Sequence, residues 1–231
     1  MSTDEKNIGR RAFIGLVLAG IVALFVGKDI FPRVTNGGSS SGGSTPGGGT
    51  SSGGIPAGFR INTIKDGPAF DPAAWHLTVD GLVGTPLNLT FAQFTDLPQT
   101  TVTRDFYCVE GWGVTGAVWK GVAVKELMQL AHIDPAATDL VFHSSDGVYA
   151  DSLTLEQSAF DDTLLVHELD GAALPPQMGQ PLRLLYPGHY GYKYVKWVER
   201  VEAINQKDAS FTGYWEAYGY SADATIPGAA R

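Results

Sequence analysis

The sequence predicts an α+β fold with a mixed, β-rich sheet, a single domain behind an N-terminal signal or anchor and a disordered linker. Three observations carry this. Strand-like runs outnumber helical ones and do not alternate strictly with them, which argues against a doubly wound nucleotide fold. Apolar and polar residues alternate in short runs broken by turn pairs such as Asp80-Gly81 and Asp146-Gly147. No Gly-x-Gly-x-x-Gly follows a strand, and no phosphate-binding P-loop lysine motif occurs.

The chain divides into three parts. Residues 1–35 carry Arg10 and Arg11 ahead of Phe13 and an uncharged apolar run from Ala12 to Gly27. That order is expected of a twin-arginine export signal, the route taken by proteins that fold before crossing the membrane. No small-x-small cleavage site follows Gly27, so the segment is expected to stay on as a membrane anchor, with Arg10 and Arg11 on the cytoplasmic side. Residues 36–54 hold Gly, Ser, Thr, one Pro and one Asn, with no charge and no apolar side chain. Such a segment cannot bury a core, and as a flexible tether it reaches roughly 25 Å. Residues 55–231 form the folded domain, long enough for a substantial core.

Within that domain, residues 75–79 alternate and turn at Asp80-Gly81, and residues 100–108 form a second strand. Residues 122–132 predict a helix, because Val124, Leu127, Met128 and Ala131 fall on one face. Residues 140–143 and 148–153 pair across the Asp146-Gly147 turn. Residues 154–160 predict a short helix, with Thr154 and Gln157 at capping-box spacing. Residues 164–169, 182–186 and 195–204 complete the strands.

Charge and motifs exclude several functions. The net charge of −8 comes without any basic block, so nucleic-acid binding is not expected. The absence of Gly-x-Ser-x-Gly and His-Glu-x-x-His motifs argues against hydrolases. His76, His132, His143, His167 and His189 show no metal-ligand spacing, and His189 is the one placed to line a pocket.

Cys108 is the one cysteine. A lone thiol builds no disulfide, zinc cage or iron–sulfur cluster. It can pack in a core, act as a nucleophile, or give one thiolate to a metal whose other ligands come from elsewhere. A strand delivers it into the glycine- and tryptophan-rich stretch Glu110-Gly111-Trp112-Gly113, the setting in which backbones approach ligands. Glu110 is an acid/base candidate beside it, and Trp112 and Trp119 read as pocket wall and core. Arg183, Lys193 and Lys196 concentrate cations in a domain that has few, around the loop Pro187-Gly188-His189-Tyr190-Gly191.

Five segments in order carry a resemblance: Cys108 to Trp112, Trp119-Lys120-Gly121, Ser145-Asp146-Gly147, Gly179 to Arg183, and Tyr190 to Trp197. Together they resemble the molybdopterin-binding domain of the sulfite oxidase superfamily, and within it the catalytic subunits of periplasmic methionine sulfoxide reductases. The resemblance covers essentially the whole folded part. It implies that Cys108 is the thiolate ligand of molybdenum, beside the two dithiolene sulfurs of one pyranopterin per chain. It implies that Arg183 contacts the pterin, that Tyr194, Val195 and Lys196 hold the cofactor phosphate, that His143 or Ser144 adds a polar contact, and that Asn62 matches an asparagine of the N-terminal loop. Met178 stands where the reductases have an asparagine, which puts one cofactor hydrogen bond in doubt.

The implied function is an extracytoplasmic molybdenum oxidoreductase performing two-electron oxygen-atom transfer on a small-molecule substrate. Sulfite oxidases surround their metal with arginines, whereas here Arg104 is expected to be the only arginine near Cys108. A weakly charged aromatic pocket suits a sulfoxide or N-oxide better than sulfite. The alternatives are a sulfite-type oxidase and a cofactor-free tethered binding module of the same fold. With no Cys-x-x-Cys-His haem motif, electrons are expected from a membrane or periplasmic partner, quinone-linked or a haem protein. The chain ends soon after Trp215, without the dimerisation domain of sulfite oxidases, so a monomer is expected.

Overall fold

The structure is a computed structural model describing residues 50–51 and 54–228. The expected export segment, residues 1–35, and the linker apart from Thr50, Ser51 and Gly54 lie outside the described residues.

In chain order the elements are β1 (Thr50–Ser51), β2 (Ile55–Pro56), β3 (His76–Gly81), β4 (Leu87–Thr90), α1 (Phe91–Asp96), β5 (Thr100–Tyr107), β6 (Gly113–Ala123), α2 (Val124–Ala131), β7 (Asp139–Ser144), β8 (Ala150–Thr154), α3 (Leu155–Ser158), β9 (Leu164–Leu169), β10 (Ala172–Ala173), β11 (Arg183–Leu185), β12 (Val198–Ile204) and α4 (Gln206–Ala209). Single 3-10 turns form at Pro176–Met178, Gly191–Lys193 and Glu216–Tyr218.

Two five-stranded sheets result. One runs β4-β3-β12-β7-β8 and is mixed, because β12 pairs parallel with β3 and antiparallel with β7. The other is antiparallel, β10-β9-β6-β5, with β11 also on β9. The α+β, β-rich expectation therefore holds, with the strands divided between two sheets. One core cluster draws on both: Leu77, Phe142 and Val201 from the mixed sheet, Trp119, Val122 and Leu164 from the antiparallel one. Burial of this order is worth about 1.5–3 kcal/mol for each large apolar side chain.

Local chemistry explains the short helices. Thr154 and Gln157 close the expected capping box of α3. Thr90 and Gln93 build the same box on α1, which the sequence reading did not anticipate. The helix expected over residues 122–132 begins at Val124, because Val122 and Ala123 remain in the ladder opposite Leu165 and Leu164. Strand β6 is the largest departure: it starts within the glycine- and tryptophan-rich stretch and runs eleven residues through a region given no strand from sequence. Gly121 permits this, since a Cβ there would lie 2.0 Å from the Leu165 carbonyl oxygen. The strand expected from residue 195 begins instead at Val198, because Gly191–Lys193 is a turn and Trp197 takes a left-handed φ of 53°.

Candidate functional site

Cys108 is the first residue beyond β5, in the hairpin that turns into β6. Its N–H donates to the Trp112 carbonyl at 2.8 Å, and its own carbonyl accepts from Gly111 at 3.1 Å. Gly111 closes the turn at a φ of 84°, which few other residues tolerate. The thiol is half-buried, and desolvation raises its pKa.

Cys108 opens onto a cavity of about 440 Å³. Six parts of the chain supply its walls: residues 59–65, the Cys108 hairpin, the β7–β8 turn, Gln177 of the 3-10 turn at Pro176–Met178, β11 with the segment to Trp197, and the C-terminal residues Trp215 and Tyr220.

The deepest charge in the wall is Arg183, 6% exposed. Its Nη1 donates to the Met178 carbonyl at 3.3 Å, and its guanidinium lies over the rings of Phe106 and Tyr194 at 5.1 and 6.0 Å. Its Nε is buried without a hydrogen-bond partner. Burial pulls its pKa down to about 10. An unpaired guanidinium in an apolar wall is costly unless an anion meets it.

Glu110 stands on the thiol side. Its Oε2 accepts from Asn62 Nδ2 at 2.8 Å and Trp112 Nε1 at 3.3 Å, and the Cys108 thiol points to it at 3.9 Å. These donors, Asn62 first, hold its carboxyl below the usual range, so it is ionised at neutral pH. Lys196 donates to the Asn62 carbonyl at 2.9 Å, Thr63 Oγ1 at 2.5 Å and the Gln177 carbonyl at 3.1 Å. Burial, with Arg183 nearby, brings its pKa down to about 7.

Of the residues singled out from sequence, Asn62, Cys108, Ser144, Arg183, Tyr194 and Lys196 line this one cavity. His143 and Val195 do not. His143 turns its Nε2 to Glu202 at 3.0 Å on the mixed sheet, and Val195 is buried with its carbonyl bonded to Leu184. Lys193 is also no part of the wall: it is buried against Asp151 and Glu216 at 2.5 and 2.8 Å. His189 stacks on Tyr186 instead of lining the cavity. Met178 is buried and serves Arg183 through its carbonyl.

The arginine count near the thiol needs correction. Arg104 pairs with Asp162 at 2.9 Å away from the cavity, whereas Arg60 and Arg183 line it. Asp161 pairs with Lys125, and Asp162 with Arg104. Sequence reasoning also missed Lys65, Tyr149, Trp215 and Tyr220. Nothing periodic marks residues 59–70, so only their return across the cavity reveals them.

Among the described residues, no group of three or more His, Cys, Asp or Glu is placed to hold a metal ion. The donor set instead fits an anionic organic cofactor that brings most of its own metal ligands: one thiolate source and one buried, under-bonded guanidinium in the same cavity.

Comparison with known proteins agrees. Residues 64–215 match the family described as oxidoreductase molybdopterin binding domain. The chain is 29% identical over 167 residues to the uncharacterized oxidoreductase YuiH of Bacillus subtilis, covering 72% of this chain and 82% of that one. It is 31% identical over 157 residues to the protein-methionine-sulfoxide reductase catalytic subunit MsrP of Gluconobacter oxydans, covering 60% of this chain and 49% of that one. Among solved structures, the sulfane dehydrogenase SoxCD from Paracoccus pantotrophus is similar with a TM-score of 0.55 and 26% identity, over 60% of this chain and 40% of that one. The chain thus spans most of YuiH and half or less of the other two.

Proposed function

Because this chain belongs to the molybdopterin-binding oxidoreductases of the sulfite oxidase superfamily, we propose that it reduces a neutral sulfoxide or N-oxide by two-electron oxygen-atom transfer. When bound, the molybdenum cofactor supplies the oxygen-atom and electron chemistry. The residues of the chain bind it and select what approaches. Cys108 is the protein's thiolate toward the metal. Arg183 meets the anionic pterin with its under-bonded Nε, and Tyr194 and Lys196 flank it. One pyranopterin per chain satisfies this single cysteine and single buried arginine.

The observation that carries the preference for a neutral substrate is Glu110. An ionised carboxylate 3.9 Å from the Cys108 sulfur repels an oxyanion such as sulfite and leaves a neutral substrate unopposed. Arg60 softens this field, and its place in the wall, with Lys65, is what favours the oxidative alternative. The test is a direct comparison on metal-loaded chain. Methionine sulfoxide, dimethyl sulfoxide and trimethylamine N-oxide are offered with a reduced viologen dye, and sulfite with ferricyanide. Sulfoxide or N-oxide turnover without sulfite oxidation supports the reading, and the reverse pattern overturns it.

The setting we propose is extracytoplasmic. Arg10 and Arg11 with the run to Gly27 support twin-arginine export, and the Gly/Ser linker supports a tethered, monomeric domain that works beside a membrane electron donor, quinone-linked or a haem protein.

A further inference from the structure

Seven consecutive residues, 59–65, form one wall of the cavity. From residue 62 to residue 66 they are also exposed, so this wall is one chain thick, with the cavity on one side and solvent on the other. It belongs to no helix or strand. Among the described residues, no backbone–backbone hydrogen bond involves residues 60–70. The opposite walls differ: β11 is laddered to β9, and the Cys108 hairpin is closed by its own backbone bonds. Moving residues 60–66 outward breaks no ladder, whereas moving any strand wall does.

The segment is fixed at both ends by aromatic packing. Phe59 lies against Phe106 at 5.6 Å and edge-on to Trp119 at 5.9 Å. Phe70 lies edge-on to Phe91 at 5.0 Å. Between these ends it is held by side-chain contacts, with Ile61 packed against the core and Arg60 5.8 Å over the Trp112 ring. Lys196 reaches the Asn62 carbonyl and Thr63 Oγ1, Lys65 donates to the Asp146 carbonyl, and Asn62 donates to Glu110. Lys196 is poised for this task. Its neighbour Trp197 sits in a left-handed conformation that bulky residues avoid, and the Lys196 ammonium lies 4.3 Å over that indole. The three acceptors around Lys196 Nζ match its three N–H donors, so an arriving phosphate must compete with the segment for them.

We propose that residues 60–66 are a lid over the cofactor cavity, latched by Lys196 and hinged on Phe59 and Phe70, which opens to admit the anionic pterin cofactor. The proposal rests on the cavity being the cofactor's, not on the direction of the chemistry. Arg183 at the bottom of the cavity is then reached from the lid side, and Asn62 is carried back to Glu110 when the lid closes.

The test uses the full chain made in a host unable to synthesise molybdopterin, and the same chain loaded with cofactor. Trypsin cleavage after Arg60 and Lys65 is followed by mass spectrometry, and cofactor uptake by bound molybdenum. The lid predicts cutting in the apo chain and protection on loading. Thr63→Val, which removes one hydrogen bond to a charged group, should speed cutting in the apo chain on the order of tenfold, and Lys196→Gln, which removes two from the segment, should speed it more. Thr63→Val, which leaves the cavity's cations in place, should also load cofactor faster and lose it faster. Cutting that is equal in apo and loaded chains, or unchanged in both variants, overturns the lid. An inactive but protected loaded chain would count against the proposed substrate and leave the lid standing.

Discussion

Arg183 sits where a charge is least stable in the absence of a ligand. Its Nε has no partner and burial draws its pKa down to about 10. Arg183→Met should therefore separate binding from stability. The apo variant should be more stable by about 1–4 kcal/mol, the range seen when buried charges give way to apolar side chains, while molybdenum content falls. Denaturation of the apo protein and metal analysis of the loaded protein check the two halves. Cys108→Ser changes volume little but replaces a soft ligand with a poor one. Folded protein with turnover lost is expected, and normal turnover would exclude Cys108 as the metal ligand. Cys108 was legible in the sequence because it stands alone, and Arg183 and Lys196 because they fit a motif order. His143 was not separable from Ser144, since adjacent strand residues face opposite ways and β7 gives only Ser144 to the cavity. Arg60 and Lys65 were invisible, because a segment without periodicity does not announce what it covers.

Elements meet through a few polar pins, and one of these is sensitive to acid. Gln99 turns its Nε2 to the carbonyls that end α1, at 2.9 to 3.4 Å, so its Oε1 must accept from His167 Nε2 on β9 at 3.0 Å. Burial lowers the His167 pKa below 6.5. In a falling pH the unfolded chain takes up this proton first. Stability should therefore decline as pH drops through 6.5 toward the lower folded value, and His167→Gln should flatten that decline. Urea titrations at pH 7 and pH 5 read the difference. The same strand shows what patterning reveals: residues 164–169 were read with the bounds they have, because six consecutive residues are apolar apart from His167 and Glu168. Strand β6 was hidden because Gly113, Gly116 and Gly121 mimic a loop. Only the partner backbone at Leu165 explains why Gly121 belongs in a ladder.

At the scale of the whole molecule, the export reading has its own check. Replacing Arg10 and Arg11 by lysine should leave active domain inside the cytoplasm, and cell fractionation followed by the viologen assay measures it. Active variant outside the cytoplasm would remove the twin-arginine route from the account. The mixed sheet adds a constraint of a different kind, one of time. Its central strand is the last to be made: β12 lies between β3 and β7, and Arg200 grips Asp80 across 120 residues of chain. Until residue 204 has left the ribosome, β3 and β7 have no common partner. Nascent chains stalled before residue 198 should thus be digested at residues 76–90 and 139–154, the other strands of the mixed sheet, and chains released at full length should resist. The mixed sheet therefore has no half-built state of its own: its outer pairs wait for the strand made last, and it closes in one step or not at all.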